Sequence, residues 1–540
     1  MLLNFLGANH EVTGSCHYLQ TQDTHVLVDC GMEQGPDLYV NQEIPVTASK
    51  IDYVFITHAH IDHSGLLPLL YSHGFRGKVY ATKATCQLCD IMLKDSAHIQ
   101  MFEAEWKNRK AKRSGNEVVE PLYTMEDALA VLELFIPCNY HSVIDVNDRI
   151  RIRFVDAGHL LGSSSIEIWM KEEEVEKKIV FSGDIGHIGK PLIREPEFIS
   201  DADYVVMEST YGDRNHPAAA DYAQMLMNVI RTSFLRGGNV VIPAFSVGRT
   251  QEMLYFLRKI KTEKLLPEFP DFEVYVDSPL SAAATNIFQK NISEYFDQEA
   301  QDLVNQGINP ISFDGLFIST TAEESKNINF INHPVVIISA SGMCEAGRIR
   351  HHLKHNLWRP ESTVLFVGYQ VEGTLGNILL NGAPKVKLFG EEITVKAQIT
   401  NMPGISGHAD KDHLTEWAAA FTKRPDKYFI VHGEDHVTDH FAEHLRTELG
   451  VQAIAPYSGD CYDLETGEIV REGTREFVAK RSKNTNRSVS NVYARLTAAS
   501  ERLQGVIERS QGYPNKDLAK LADQIIAIAD KWEKGHDFTE

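Results

Sequence analysis

The chain contains 540 residues, of which 43% are hydrophobic and 24% are charged, as is usual for globular proteins. Its 53 Lys and Arg against 74 Asp and Glu give a net charge of −21, which argues against a protein coated in basic surface for nucleic acid but leaves room for a local basic groove. Such a chain is too long for one hydrophobic core, and about three to four domain-sized units are expected.

Cysteine usage and hydropathy indicate a cytoplasmic protein without a membrane partner. The seven cysteines are an odd number and form no regular framework, so reduced thiols are expected. The N-terminal residues lack the basic region and long apolar core of a signal peptide. No stretch of the sequence approaches the roughly 18 apolar residues of a membrane-spanning helix.

Short runs of Val, Ile, Leu and Phe alternate with longer helical patterns, which predicts an α/β protein. The predicted strands are His25–Asp29, Tyr53–Thr57, Arg151–Asp156, Lys178–Gly183, Tyr204–Glu208, Asn239–Pro243, Val274–Asp277, Val335–Ala340, Val364–Gly368 and Tyr428–His432. A charged segment at 98–135 is helical in composition and breaks at Ser114, so we expect a helical excursion there.

A histidine-rich motif follows the predicted strand at Tyr53–Thr57. It consists of His58, Ala59, His60, Ile61, Asp62 and His63, and a helix is predicted to begin just after it, near Ser64. Imidazole and carboxylate ligands without thiolate suit Zn²⁺, Mn²⁺ or Fe²⁺ in a catalytic site better than in a closed structural one. The alternative is a solvated histidine-rich loop, which four ligand side chains within six residues make improbable.

Further candidate ligands lie in loops, most of them directly after a predicted strand. They are Asp29, His159, Asp184, Glu208, His408 and His432. Strand ends can converge at one edge of an open α/β sheet, where such folds place their sites. A single histidine in such a position is more often structural, but the repetition along the chain favours one shared site.

Beyond about residue 460 the pattern changes to two amphipathic helices separated by a Gly512-Tyr513-Pro514 break. The alternatives for this tail are packing against the main body and formation of a homodimer through the helical hairpin. The tail also contains a basic cluster, for which a solvated linker face and a phosphate contact are equally good interpretations. The cluster consists of Lys480, Arg481, Lys483 and Arg487.

Together these motifs resemble those of metallo-β-lactamase-fold hydrolases, and specifically the β-CASP ribonucleases, which include bacterial zinc ribonucleases and the endonuclease of mRNA 3′-end processing. The resemblance runs from residue 1 to about 460. In the family's order the matching positions are Asp29, the His58–His63 motif, His159, Asp184, and an insertion-specific trio of Glu208, His408 and His432.

The resemblance implies an α/β fold in which a metallo-β-lactamase αββα sandwich carries an inserted β-CASP α/β domain and a C-terminal helical hairpin. The implied boundaries are 1–211 and 396–460 for the two parts of the sandwich. The β-CASP domain would occupy 212–395, and the basic linker and hairpin 461–540. The insertion would lie over the sheet edge as a lid.

The resemblance also implies two Zn²⁺ ions per chain, although the ligand set tolerates Mn²⁺ and Fe²⁺. His58, His60 and His159 would hold one ion. Asp62, His63 and His432 would hold the other. Asp184 would bridge the two ions, and Asp29 would orient the ligands.

The implied reaction is hydrolysis of phosphodiester bonds in single-stranded RNA by a hydroxide that the two metals activate, mainly endonucleolytic with some 5′–3′ trimming. Glu208 paired with His408 would deliver a proton to the leaving ribose oxygen; the alternative is that this pair only positions ligands. Glycine-bearing turns after predicted strands would contact the RNA backbone. The residues proposed for these contacts are Arg249, Ser341, Gly342 and Arg348.

Three other functions compete with this interpretation. Thioester or β-lactam hydrolysis is disfavoured, because relatives with those activities lack the Glu208, His408 and His432 trio. A DNA nuclease or other phosphoester hydrolase of the same fold is a nearer alternative; the DNA branch tends to have an aliphatic residue where this chain has His432. A non-catalytic scaffold in RNA processing is disfavoured because the ligands are all retained.

Overall fold

The structure, a computed structural model, describes residues 1–34, 38–114, 118–217, 221–371, 373–478, 496–497, 499–500, 503–507 and 510–533. Over these residues the strands are β1 (Leu2–Gly7), β2 (Cys16–Thr21), β3 (Thr24–Val28), β4 (Tyr53–Phe55), β5 (Lys78–Thr82), β6 (Phe135–Cys138), β7 (Ile144–Asp145), β8 (Ile150–Asp156), β9 (Ser164–Glu172), β10 (Val175–Phe181), β11 (Tyr204–Glu208), β12 (Val240–Pro243), β13 (Val274–Asp277), β14 (Leu316–Ser319), β15 (Val336–Ser339), β16 (Thr363–Phe366), β17 (Lys385–Leu388), β18 (Glu391–Thr394), β19 (Gln398–Asn401), β20 (Lys427–Val431), β21 (Ala453–Ile454), β22 (Cys461–Asp463) and β23 (Ile469–Arg471).

The main helices in the same part of the chain are α1 (Ile61–Ser64), α2 (Leu67–Ser72), α3 (Lys83–Ser114), α4 (Met125–Leu132), α5 (Tyr222–Leu235), α6 (Arg249–Thr262), α7 (Pro279–Lys290), α8 (Ile292–Tyr295), α9 (Gln298–Asn305), α10 (Ala322–Ile328), α11 (Ile349–Asn356), α12 (Leu375–Leu380), α13 (Lys411–Ala419) and α14 (Asp435–Leu449). A C-terminal helix spans Asn515–Glu533.

Two sheets form a sandwich. Over the described residues one sheet has the order β23-β22-β1-β2-β3-β4-β5-β6 and the other β21-β20-β11-β10-β9-β8-β7. A buried apolar cluster fills the space between them, and the rings of Phe5 in β1 and Phe429 in β20 lie 5.0 Å apart within it. Burying one such ring stabilises the fold by about 1.5–3 kcal/mol.

Helices cover both outer faces of this sandwich. The buried face of α3 carries Leu88 and Leu93 and packs with the first sheet. On the other side, Trp417 of α13 and Phe441 of α14 pack against the second sheet. The layers are therefore helix, sheet, sheet, helix, as the predicted αββα sandwich requires.

A third sheet is built from the chain between β11 and β20. Its order is β14-β13-β15-β12-β16-β19, and all its paired strands run parallel. Since β11 and β20 pair directly in the sandwich, this sheet belongs to an insertion. Its last strand, β19, spans Gln398–Asn401, so this sheet extends a few residues past the predicted end of the insertion at residue 395.

The insertion shares a hydrophobic core with the sandwich. Leu88 of α3, Ile242 of β12 and Phe288 of α7 all belong to one buried apolar cluster. Apolar burial across this boundary opposes separation of the two parts, because separating them would expose the shared surface to water.

The observed strands agree with the ten predicted runs within a few residues, and α3 ends at Ser114, the predicted break. The histidine-rich motif differs from the prediction. Helix α1 already begins at Ile61, so Asp62 and His63 occupy a helical turn instead of the predicted loop. Hydrogen bonds from the N–H groups of His63 and Ser64 to the carbonyl oxygen of His60, both 3.0 Å, close this turn.

The tail is described only in part. The C-terminal helix Asn515–Glu533 is the second arm of the predicted hairpin, whereas much of the first arm and the basic cluster at 480–487 lie outside the described residues. Among the helices that the structure describes, none is both long and apolar enough to cross a membrane.

Gly31 is a packing constraint next to the histidine-rich motif. A Cβ atom at Gly31 would lie 1.7 Å from the carbonyl oxygen of Asp62, so Gly31→Ala must displace the chain at Asp62. We expect a loss of about 1–3 kcal/mol in the free energy of unfolding, measured by denaturant titration. Gly368→Ala is the control, because no heavy atom lies within 4 Å of its Cβ position. Equal unfolding midpoints for the two variants would contradict this packing constraint.

Candidate metal centre

The candidate ligands follow strands that end at one edge of the sandwich. β3 and β4 run parallel in the first sheet, and β10, β11 and β20 run parallel in the second. Their carboxyl ends lead into Asp29, His58, Asp184, Glu208 and His432. The shared direction of these strands explains how residues far apart in the sequence reach one place.

The first ligand group contains His58, His60 and His159. The Nε2 atom of His58 lies 3.0 Å from Nδ1 of His60, and Nε2 of His159 lies 3.2 Å from the same Nδ1 atom. One carboxylate oxygen of Asp184, Oδ2, lies 3.4 Å from Nε2 of His58 and 3.5 Å from Nε2 of His159. Three imidazole nitrogens and one carboxylate oxygen thus face a common point.

The second ligand group contains Asp62, His63 and His432. The Nε2 atoms of His63 and His432 lie 3.2 Å apart, and Oδ2 of Asp62 is 3.7 Å from Nε2 of His432. The other oxygen of Asp184, Oδ1, lies 3.3 Å from Nε2 of His63 and 3.6 Å from Nε2 of His432. Asp184 therefore presents one oxygen to each group.

Hydrogen bonds orient four of the imidazoles from behind. Each of these rings turns Nε2 towards the ligand group, while its Nδ1 atom has a partner outside the group, as is usual for metal-binding histidines. The Nδ1 partners are Thr57 Oγ1 for His58 (3.2 Å), Asp29 Oδ2 for His63 (2.7 Å), the Gly407 carbonyl for His159 (3.0 Å) and Thr210 Oγ1 for His432 (3.1 Å).

The donor set fits metal cations. Burial lowers the pKa of His60 to about 4 and holds the pKa values of His58 and His159 well below the ordinary range, so these rings are neutral and can donate lone pairs. Oδ1 of Asp184 is buried and has no hydrogen-bond partner among the described residues. A buried carboxylate oxygen without a donor is costly unless a cation satisfies it.

Asp29 lies behind His63 and not among the ligand atoms. Its carboxylate accepts hydrogen bonds from the N–H and hydroxyl groups of Thr57, both at 2.8 Å, in addition to its contact with His63. Asp29 and His432 both adopt left-handed backbone conformations, with φ of 60° and 51°. Such conformations are costly for residues other than glycine and are concentrated at functional sites.

Glu208 and His408 form a pair beside the two ligand groups. Both carboxylate oxygens of Glu208 lie 3.1 Å from Nδ1 of His408, and the N–H of Ile185 donates to Glu208 at 2.6 Å. Although burial lowers the pKa of His408, the negative charges of Glu208 and Asp184 outweigh burial and raise it to about 9. The imidazole ring is 20% exposed, so it reaches the surface of the site.

The candidate RNA-contacting residues lie in the insertion. Arg249 forms an ion pair with Glu252 at 2.6 Å, and Arg348 forms one with Asp277 at 2.8 Å. Ser341 and Gly342 lie in the turn that follows β15. The two arginines are thus held by protein carboxylates, whereas the turn at Ser341 is partly exposed.

A buried network of charges connects the insertion to a ligand of the first group. Lys190 donates to the carbonyl oxygen of His159 at 2.6 Å and pairs with Glu252 of α6 at 2.9 Å. Glu252 also pairs with Arg249. Since all three side chains are largely buried, solvent screens their interactions little.

Sequence reasoning missed several of the orienting residues. Thr57 directly precedes the histidine-rich motif and Thr210 follows Glu208 by two positions, so proximity to a motif was their only signal. Gly407 contacts His159 through its backbone carbonyl. Every residue has such a carbonyl, so the residue type gives no signal for this contact. His17 and Lys190 also escaped prediction; His17 is buried beneath the site, where burial lowers its pKa to about 3.

Comparison with family models matches three segments of the chain. Residues 18–207 match the metallo-beta-lactamase superfamily domain, residues 250–379 match the Beta-Casp domain, and residues 392–456 match the Zn-dependent metallo-hydrolase RNA specificity domain. The first segment lies within the predicted first part of the sandwich and the second within the predicted insertion, whereas the third begins at residue 392, before the predicted second part of the sandwich.

Several named proteins are similar over most of the chain. Ribonuclease TTHA0252 of Thermus thermophilus is 35% identical over 79% of this chain and 92% of its own length. Transcription termination factor FttA of Methanosarcina mazei is 30% identical over 83% of this chain and 69% of its own length. An RNase J-like protein of Methanocaldococcus jannaschii is 30% identical over 85% of this chain and 99% of its own length.

The orienting contact of Asp29 leads to a testable expectation. Asp29→Asn should weaken metal binding by about 10–100-fold, because the substitution removes the negative charge that holds the His63 ring. Competition with a chromogenic chelator measures this affinity. Asp203→Asn is the matched control, since Asp203 also accepts a backbone hydrogen bond at 2.8 Å, from the N–H of Lys178. An affinity unchanged in Asp29→Asn would rule out this role.

Proposed function

The chain belongs to the β-CASP ribonuclease family of metallo-β-lactamase-fold hydrolases, and on this premise we propose that it hydrolyses phosphodiester bonds of single-stranded RNA with two metal ions. The observation that carries this proposal is the carboxylate of Asp184, which presents one oxygen to each of two histidine groups. Such an arrangement suits a pair of cations that share one bridging ligand.

In this proposal His58, His60 and His159 hold one ion, and Asp62, His63 and His432 hold the other. When bound, zinc ions supply a lowered pKa for water and neutralise negative charge that develops on the scissile phosphate. Mn²⁺ and Fe²⁺ also suit this set of nitrogen and oxygen ligands. Asp29, Thr57 and Thr210 keep the rings in the orientation that binding requires.

His408 supplies the proton for the leaving group. Glu208 contacts Nδ1 of His408 through both of its oxygens, which keeps the ring protonated and leaves Nε2 to donate towards the substrate. The departing ribose oxygen is a poor leaving group as an alkoxide, so a positioned acid contributes typically about 10²–10⁴-fold in rate.

RNA is the proposed substrate for two reasons. Two relatives, matched over 92% and 99% of their own lengths, are named as a ribonuclease and an RNase J-like protein. The segment that contributes His408 and His432 matches an RNA specificity domain. The turn at Ser341 and Gly342, together with Arg249 and Arg348, is proposed to contact the RNA backbone. DNA or another phosphoester remains the alternative substrate class.

The experiment that tests this proposal compares four polymers with one preparation of protein whose metal content is measured by mass spectrometry. The polymers are linear single-stranded RNA, circular single-stranded RNA, single-stranded DNA and double-stranded RNA. We expect about two metals per chain and cleavage of both single-stranded RNAs. Cleavage of the circular RNA identifies endonuclease activity, because a circle has no end from which trimming can start.

Other outcomes of the same experiment are equally decisive. Cleavage of the linear RNA alone would replace endonuclease with exonuclease activity, and cleavage of DNA would move the proposal to the alternative substrate class. Bound metal without cleavage of any polymer would contradict the ribonuclease proposal. His63→Ala serves as the negative control, since it removes a ligand that contacts both His432 and Asp184.

The role of the Glu208 and His408 pair can be tested separately. We expect His408→Ala to lower kcat by about 10²–10⁴-fold with metal content retained. Glu208→Gln should shift the alkaline limb of the kcat/KM profile to lower pH. The carboxylate raises the pKa of His408, so its removal lets the ring lose its proton earlier as pH rises.

The control is His413→Ala, a partly exposed histidine of the neighbouring helix α13 whose ring nitrogen lies 2.8 Å from Asp410. Loss of metal in His408→Ala would assign His408 to metal binding and not to proton delivery. An alkaline limb that stays in place in Glu208→Gln would show that this carboxylate does not control the acid.

A further inference from the structure

Two large aromatic side chains are exposed at the carboxyl edge of the parallel sheet in the insertion. Phe245 follows β12 and is 46% exposed, and Tyr369 follows β16 and is 55% exposed. β12 and β16 are neighbouring parallel strands, so the two loops leave the sheet side by side. Exposure of one apolar ring is ordinary, but two on adjacent strand ends beside a candidate site indicate a binding surface.

The turn at Gly342 joins the two aromatic loops. A Cβ atom at Gly342 would lie 3.2 Å from the Cδ2 and Cε2 atoms of Phe245, so the Phe245 ring lies against bare backbone. From the other loop, Nε2 of Gln370 donates to the carbonyl oxygen of Gly342 at 3.1 Å. The position of Phe245 is also held by Thr250, whose hydroxyl donates to the Phe245 carbonyl at 2.7 Å.

This edge of the insertion faces the candidate metal centre. In the loop that carries Phe245, a Cβ atom at Gly248 would lie 3.0 Å from a methyl group of Leu160, the neighbour of His159. Glu252, one turn into α6, reaches Lys190 and through it the carbonyl of His159. These contacts place the loop of Phe245 next to His159, so a single strand bound at the metal centre could extend across the turn at Gly342.

We propose that Phe245 and Tyr369 form a platform on which bases of the single-stranded RNA substrate stack, while its backbone crosses the turn at Gly342. This inference rests on the ribonuclease proposal and adds a base-binding surface to it. Every base has a flat π-face, so stacking on aromatic rings holds single strands with little sequence preference. Bases inside a duplex are already stacked, so the platform selects single-stranded RNA.

The test is fluorescence anisotropy with a 5′-labelled single-stranded RNA, performed on the metal-loaded full chain at 4 °C with the RNA checked for integrity afterwards. We expect Phe245→Ala to raise Kd by about 5- to 150-fold, since one base stack contributes about 1–3 kcal/mol. Tyr369→Ala should raise Kd as well. Phe245→Tyr should keep a Kd close to that of the wild-type protein, because tyrosine retains an aromatic face.

Two exposed aromatics at the opposite edge of the same sheet provide matched controls. Phe330 precedes β15 and is 73% exposed, and Trp358 precedes β16 and is 55% exposed. Phe330→Ala and Trp358→Ala should leave Kd unchanged. An equal loss of affinity in these controls would overturn the platform, as would unchanged affinity in both Phe245→Ala and Tyr369→Ala.

A second measurement separates base stacking from backbone contacts. Abasic nucleotides are scanned along the same RNA. We expect at least one position at which the abasic site weakens binding to the wild-type protein but does not further weaken binding to Phe245→Ala. Additive losses at every position would contradict stacking on Phe245. Aromatic-dependent binding without cleavage would retain the platform and reject the ribonuclease activity, whereas absence of RNA binding would reject the platform.

Discussion

The contact between Asp184 and two opposed groups of imidazoles is the constraint around which this molecule is organised. Seven polar side chains are brought within a few ångströms at the edge of a sandwich. Five of them lie in loops that follow strands, and Asp62 and His63 lie on the helical turn of α1. Crowding of this kind is costly in a protein interior unless the groups are satisfied. The Asp184 oxygen that lacks a hydrogen-bond donor and the lowered pKa values of His58 and His159 both fit groups that a cation would satisfy.

The surroundings of the ligand groups are built to hold ring orientation. Four Nδ1 atoms are anchored by a carboxylate, two threonine hydroxyls and one backbone carbonyl. Of these four partners only the carboxylate of Asp29 is charged, and it lies behind His63. Although burial lowers the pKa of His63, the carboxylates of Asp184 and Asp29 outweigh burial and raise it well above its ordinary value, in contrast to the lowered pKa values of His58 and His159. A cation at His63 would displace a proton, so metal binding there should release protons to the solvent.

The insertion is joined to the sandwich by more than a peptide connection. A shared apolar cluster spans the boundary, and the pair formed by Lys190 and Glu252 extends from α6 to the carbonyl of His159. Breaking a buried ion pair by removal of one partner typically costs about 3–5 kcal/mol. The position of the β-CASP domain is thus tied to the position of one candidate metal ligand, which couples the surface proposed to receive RNA to the centre proposed to cleave it.

The strands and the candidate ligands could be predicted from the sequence, because apolar runs followed by His, Asp or Glu are local patterns. The order of these motifs carried the resemblance that implied the fold family. The sequence did not determine that Asp62 and His63 lie on a helical turn, because the motif contains no capping residue that announces Ile61 as a helix start. Three features depend on tertiary contacts: which oxygen of Asp184 faces which ligand group, the contact of the Gly407 carbonyl with a ring 248 positions away, and the packing of Phe245 against Gly342. These contacts join distant parts of the chain, and two of them involve backbone atoms. Neither residue type nor hydrophobic periodicity predicts such contacts.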